Sequence, residues 1–316
     1  MQKIVQEILV KILVISSNLI GDTVLSTGVI KHFIQQHPNL KFTIVIGPSA
    51  AQIYENLTNV DNIIKIKKKK FNLHWLDIYK RCLFNKWDII IDFRSSLISY
   101  LLIHNKKYIF KKNKKEHHLN QLSNYFNFNC SNLFISNSNK EIEEVNKRIK
   151  KNIKHIVICP GGNWKPKIWS SNNFNYLLKK IKKRYSNAKF IIVGSKKEEA
   201  EYFINVVKDL ERQDIINLMG KSLTLTSAYM KKSNLFVGND SGLMHLSVAS
   251  NLCTIGLFGP TNDEIYSPIG KNCFVIRTDK SYEFYSNKKI DRNISYMDTI
   301  SSDKVMNLII KEKVLD

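Results

Sequence analysis

The chain has 316 residues and a mass of 36.7 kDa, a length that suits two domains of about 150 residues each. Its 43% hydrophobic and 10% aromatic content excludes general disorder, its 12 Gly and 6 Pro exclude collagen-like or low-complexity architecture, and no apolar run is long enough for a membrane span. The balance of 49 Lys+Arg against 27 Asp+Glu gives a net charge of +22, which favours nucleic acid, anionic lipid or phosphorylated partners, although A/T-rich codons for Lys, Asn and Ile would produce the same bias.

In the first half, β-branched runs predict strands at 11–15, 41–46, 62–66, 88–91 and 107–110, and a helix at 23–36 that stops before His37-Pro38. Two lysine clusters lie here: Lys65 and Lys67 to Lys70, then Lys106, Lys107, Lys111, Lys112, Lys114 and Lys115. The polar, charged stretch 137–152 reads as a helical connection. In the second half, strands are predicted at 155–159, 189–193, 214–218, 235–237, 254–258 and 273–276, with helices at 173–185, 197–210, 225–232 and 242–249. A closing helix at 302–314 has Val305, Leu308, Ile309 and Ile310 on one side. Alternation of short strands and helices predicts α/β architecture with parallel sheets: two Rossmann-like domains facing an interdomain cleft. The expected boundaries are 1–150 and 151–301, with the segment 302–316 returning to the first domain. Five cysteines without CxxC spacing, and a start whose apolar run is interrupted by Glu7 and Lys11, read as a cytoplasmic protein with reduced thiols.

Three strand-to-helix corners carry chemistry. Ser16 to Thr23 contains one glycine and then Asp22, so the G-x-G-x-x-G fingerprint is missing and a nicotinamide or flavin cofactor is disfavoured. Asp22 reads as an N-cap, as a proton-accepting carboxylate, or as both. Pro160-Gly161-Gly162-Asn163-Trp164-Lys165-Pro166-Lys167 is either an anion-binding loop or an ordinary Gly-Pro turn. Trp164 and Trp169 need something to pack on. Gly238-Asn239-Asp240-Ser241-Gly242-Leu243-Met244-His245 ends a strand and opens a helix whose N–H groups suit a diphosphate. Capping is the alternative for Asp240 and Ser241, and an ordinary structural histidine the alternative for His245. Gly259-Pro260-Thr261 lies after the next strand. Met219-Gly220-Lys221-Ser222 lacks the leading glycine of a phosphate loop, and no D-x-D pair, zinc spacing or G-x-S-x-G elbow occurs.

Together, KILVISSNLIGDTVLSTGVI, PGGNWKPKIWSSNNF and FVGNDSGLMHLSVASNLCTIGLFGPTNDEIYSP resemble glycosyltransferase family 9, the lipopolysaccharide heptosyltransferases. His118-Leu119-Asn120-Gln121-Leu122 resembles the family segment leading to the interdomain link. The resemblance implies a GT-B fold with the acceptor on the first domain and the nucleotide-sugar on the second, and neither metal nor cofactor. It implies an inverting transfer of heptose from ADP-heptose to an anionic, lipid-linked or inner-core oligosaccharide acceptor at the cytoplasmic face of the inner membrane, with peripheral membrane contact. By the same resemblance Asp22 is the general base and Lys167 neutralises the departing diphosphate. Asp240, Ser241, Gly242 and His245 match the donor-binding signature, and Glu198 matches a ribose-contacting carboxylate. Gly162 and Asn163 stand where some members carry a threonine pair, which leaves backbone N–H groups as the phosphate contacts. The alternatives are another nucleotide-sugar feeding a surface glycan, and a basic nucleic-acid-binding protein, for which no binding module is present.

Overall fold

A computed structural model describes residues 9–113 and 115–316; Glu7 and Lys114, both noted in the sequence, lie outside them. The chain divides into two compact units, 1–136 and 137–316.

The first unit has strands β1 (Val10–Ile15), β2 (Leu40–Ile46), β3 (Val60–Lys65), β4 (Trp87–Asp92) and β5 (His104–Ile109). Its helices are α1 (Ile20–Gln36), α2 (Pro48–Ala51), α3 (His74–Cys82), α4 (Ile98–Leu101) and α5 (His118–Phe126). All strand pairs are parallel, in the order β3-β2-β1-β4-β5. The continuous apolar run Ile12 to Ile15 is fully buried, as a central parallel strand covered on both faces requires. Leu13, Ile15, Val45 and Ile64 face one core together with Ile78 and Cys82 of α3 and Ile98 and Leu102 following β4. Hence α3 and α4 cover the same face of the sheet.

The second unit has β6 (Lys154–Cys159), β7 (Ala188–Ile192), β8 (Ile215–Asn217), β9 (Leu235–Asn239), β10 (Thr254–Phe258) and β11 (Cys273–Arg277). Its helices are α6 (Asn139–Arg148), α7 (Ser171–Arg184), α8 (Lys196–Val207), α9 (Leu223–Met230), α10 (Gly242–Ala249), α11 (Asp263–Tyr266), α12 (Tyr282–Ser286) and α13 (Ser302–Lys311). Its sheet is parallel, in the order β11-β10-β9-β6-β7-β8. In each sheet the strand order reverses once, between β1 and β4 and between β6 and β9. Such switch points open a crevice at the carboxyl ends of the strands, where α/β proteins hold ligands.

Two expected boundaries differ. Helix α6 belongs to the second unit because it is tied to α9: Thr224 Oγ1 donates to Glu141 Oε1 at 2.5 Å, and Asn137 Nδ2 donates to the Thr224 carbonyl at 2.6 Å. The closing helix also belongs there. Val305, Met306, Ile309 and Leu315 join the core containing Ile181 of α7, and Lys180 pairs with Asp303 at 2.5 Å.

All five cysteines are free, and burial raises their thiol pKa values, to about 11 at Cys82 and about 12 at Cys159. They are therefore protonated at neutral pH.

Gly28 in α1 tests the packing directly. A Cβ there would stand 1.9 Å from the Cys130 carbonyl oxygen, which is backbone and cannot swing aside. Helix propensity alone would make Gly28→Ala stabilising by about 1 kcal/mol. The clash opposes it with an overpacking cost of about 1–3 kcal/mol. A net loss of stability in urea denaturation is expected, and a stabilised variant would disprove the close approach of α1 to the 130 segment.

Candidate functional site

In the second unit the corners after β6 and β9 meet at the switch point through one side chain. Asn239, at the end of β9, is fully buried. Its Oδ1 accepts the Trp169 backbone N–H at 2.9 Å, and its Nδ2 donates to the carbonyls of Pro160 at 2.9 Å and Gly161 at 3.2 Å. One amide thus fixes both ends of the Gly-Gly loop. The segment 295–300 holds the same stretch from the other side: Tyr296 N–H donates to the Pro166 carbonyl, Ser295 Oγ to the Ile168 carbonyl, and the Trp169 indole to the Ile300 carbonyl. Trp169 is thereby a core residue, edge-on to Phe174, and its burial is explained without a ligand.

Between these anchors lies Lys167, whose Nζ stands 3.2 Å from Asp240 Oδ2. The two side chains are only 13% and 10% exposed. A pair this enclosed differs from the surface ion pairs elsewhere, which contribute about 0–1 kcal/mol. Removing one partner strands the other charge in poor solvent at a cost of about 3–5 kcal/mol.

Helix α10 begins immediately after this pair. Its N-cap, Ser241, has extended φ/ψ and makes no side-chain capping bond. The capping alternative is therefore excluded for Ser241, and Asp240 is engaged with Lys167. Ser241 Oγ lies 3.7 Å from the Cys159 sulfur. The neutral Cys159 thiol beside it, held up by burial and by Glu198, is no nucleophile. His245 sits buried in the first turn of α10.

Glu198 has a structural role. Its Oε2 accepts the Ser195 N–H at 2.6 Å and Ser195 Oγ accepts the Glu198 N–H, closing a capping box on α8. Its carboxylate also lies against Gly161, where a Cβ would come within 2.5 Å of it. A side chain at 161 would have to displace this carboxylate. Gly162 is partly exposed and Asn163 exposed at the tip of this loop.

Arg277, at the end of β11, was not singled out in the sequence. It donates to the Gly259 carbonyl at 2.7 Å and the Thr261 carbonyl at 2.9 Å and pairs with Asp263, so it pins the Gly-Pro-Thr loop. Asn239 was visible as a motif letter only.

In the first unit α1 starts at Ile20, and its N-cap is Leu19 without a side-chain bond. Asp22 therefore lies inside the first turn and does not cap the helix. Its Oδ1 is 3.0 Å from Lys112 Nζ, which follows β5 and belongs to the second lysine cluster. That loop is held by buried Gln121, whose amide bonds Asn113 N–H and the carbonyls of Asn113 and Glu116. At the end of β4, fully buried Asp92 accepts the N–H groups of Arg94 and Ser96 and the hydroxyls of Ser96 and Ser99. It fixes the second corner of the switch point. A cavity of about 210 Å³ lined by Lys11, Lys41, Arg81 and Trp87 opens at the opposite, amino-terminal edge of this sheet and includes none of these groups.

Residues 95–296 match glycosyltransferase family 9 (heptosyltransferase). The chain belongs to this family. Among its relatives, lipooligosaccharide heptosyltransferase 2 of Campylobacter jejuni is 27% identical over 266 residues, covering 79% of this chain and 81% of the relative. The solved family 9 glycosyltransferase of Veillonella parvula superposes with a TM-score of 0.75 at 21% identity over 96% of this chain and 97% of that one. The E. coli heptosyltransferase WaaC, solved with ADP, gives 0.72 at 15% identity over 95% and 99%. The protein is thus a glycosyltransferase of the heptosyltransferase family, with the GT-B fold.

The Lys167–Asp240 pair makes a double-variant test available. Lys167→Ala is expected to lower unfolding stability by about 3 kcal/mol, and Lys167→Ala/Asp240→Asn to recover most of that loss. Equal losses in the single and double variants would show that the two charges are not coupled.

Proposed function

We propose that the protein transfers a heptose from ADP-heptose to an anionic, lipid-linked lipopolysaccharide inner-core acceptor, inverting the anomeric configuration and using no metal. The observation that carries this reading is the Lys167–Asp240 pair held at the start of α10 by the Asn239 clamp. The diphosphate of the donor gains negative charge as its bond to the anomeric carbon breaks. A lysine and helix N–H groups already in place stabilise that charge more than the ground state, without reorganisation. In WaaC the solved complex contains ADP, which supports adenine as the donor base here.

In this reading Asp240 orients the Lys167 ammonium, and Ser241, Gly242 and His245 complete the donor site. Gly162 and Asn163 contribute backbone N–H groups in place of hydroxyl side chains. Glu198, beside Gly161, receives the ribose. On the first unit Asp22 accepts the proton of the acceptor hydroxyl as its oxygen forms the new glycosidic bond. The bond to the diphosphate breaks and ADP departs. Lys112, on Asp22 Oδ1, positions the carboxylate and turns its other oxygen to the substrate.

The test separates base from binding. Asp22→Asn is expected to leave ADP affinity within about twofold while lowering turnover of ADP-heptose by roughly 10²–10⁴-fold, the range for removing a general base. ADP release is followed chromatographically and affinity by calorimetry. An Asp22→Asn enzyme with near-normal turnover would remove the base assignment.

A further inference from the structure

The cavity at the amino-terminal edge of the first sheet belongs to neither the α10 corner nor the Asp22 corner, and its lining is unusual for its position. A parallel sheet is covered on both faces, so its side chains are ordinarily apolar on each. Leu13, Ile15, Val45 and Ile64 follow that rule on the face that α3 covers. Nearer the amino ends of the same strands, the period-two alternation puts Lys11, Lys41, Thr43 and Asn62 on that same face. All four line the cavity, and Arg81, from the last turn of α3, lines it from the helix side.

The charges here are not compensated by the fold. Lys11 and Lys41 are direct register partners on neighbouring strands, and like charges side by side weaken a sheet. Asp88 accepts the Lys11 backbone N–H at 2.8 Å and the Asn105 amide at 3.1 Å, and Asp77 is paired with Lys69. Lys41 Nζ donates to the Thr58 carbonyl at 3.2 Å, a neutral partner. Among the described residues, neither the Lys11 ammonium nor the Arg81 guanidinium enters an ion pair. Three cations thus surround the cavity against one lining carboxylate, Asp61. The rest of the wall is of two kinds. Thr43, Asn62 and Asn85 offer a hydroxyl and two amides. Trp87 is buried, and its indole N–H donates to the Cys82 carbonyl at 3.3 Å, so its ring is a fixed apolar surface. The volume, about 210 Å³, is below the roughly 300–1,000 Å³ of sites for drug-sized molecules and suits a smaller compound than a nucleotide.

We infer that this cavity is a second ligand site, which binds a small phosphorylated sugar. Lys11, Lys41 and Arg81 hold the phosphate, Thr43, Asn62 and Asn85 bond the hydroxyls, and the carbon skeleton lies on Trp87. The ligand is not a reactant of the transfer. Asp22 follows the carboxyl end of β1, and the six residues of that strand put about 20 Å between the two edges. A bound dianion offsets the Lys11–Lys41 repulsion, and because it binds the folded state it raises the stability of the protein.

The purified full chain is titrated calorimetrically with glucose 6-phosphate and ribose 5-phosphate, with inorganic phosphate and glucose as comparators. One-site binding of a sugar phosphate with a Kd below about 1 mM is expected, tighter than inorganic phosphate, with glucose inert and the melting transition raised. Lys11→Gln/Arg81→Gln, at two exposed positions, should weaken binding on the order of 30-fold or more. Asn62→Tyr keeps every cation, suits an exposed strand position and fills the cavity, so it should abolish binding. Asp61→Asn removes the opposing carboxylate and should tighten binding about threefold. Lys167→Met should leave it unchanged, since that lysine lies in the second unit. Absence of sugar-phosphate binding would overturn the inference, as would equal affinity for inorganic phosphate. So would loss of binding in Lys167→Met with none in Lys11→Gln/Arg81→Gln. Undiminished binding in folded Asn62→Tyr would reduce the effect to general attraction toward a basic surface and overturn it as well.

Discussion

The second unit depends on a buried amide. Asn239 makes three hydrogen bonds from a position with no solvent access, and they join the end of β9 to the loop after β6 and to the strand-like approach to α7. In water these groups would be satisfied by solvent, so the bonds add little net stability. Inside the protein each becomes costly to leave unmade. The amide thus specifies geometry more than it stabilises: the Gly-Gly loop and Lys167 have one arrangement in which all the polar groups are paired. The bonds from 295–300 to Pro166, Ile168 and Trp169 restrict the same stretch from outside.

That constraint explains why Lys167 can sit so close to Asp240 in an enclosed place. Two charges that are largely out of water need fixed geometry to offset their desolvation. Here the backbone on both sides of Lys167 is pinned before the side chain is considered. The pair also places a cation at the start of a helix, where in the proposed reading the donor diphosphate binds. The first unit uses the same device with different residues. Asp92 ties the loop after β4, Gln121 ties the loop bearing Lys112, and Asp22 projects from the first turn of α1 toward that lysine.

Much of this architecture was legible in the sequence. All eleven strands among the described residues overlap the runs that the sequence offered; central strands such as β1 and β10 are buried and leave a continuous apolar signature, while the edge strands β3, β5 and β8 were found through their β-branched residues alone. The strand order was not legible, since it depends on which edges pair. Helices α3 and α5, of nine residues each, and the four- to five-residue α2, α4, α11 and α12 were missed because they are short. The boundary at 136 and the placement of α13 turn on contacts such as Thr224–Glu141 and Lys180–Asp303 that no local pattern announces. At the site, sequence could not separate caps from chemistry, because Asp, Ser and Glu serve both. The structure shows which of them cap: Asp22 and Ser241 make no capping bond, whereas Glu198 closes a capping box. The roles of Asn239 and Arg277 were invisible because each acts on backbone carbonyls brought near only by folding.

The most direct measurement of the account is calorimetric titration of the protein with ADP, UDP and GDP in the presence of a metal chelator, repeated with Lys167→Met. The account predicts that ADP binds without metal, that it binds more tightly than UDP or GDP, and that Lys167→Met weakens it on the order of tenfold or more, as loss of a charge-assisted contact to phosphate requires. Equal affinity of Lys167→Met and wild type for ADP, in folded protein, would contradict the claim that the clamped loop presents this lysine to a diphosphate.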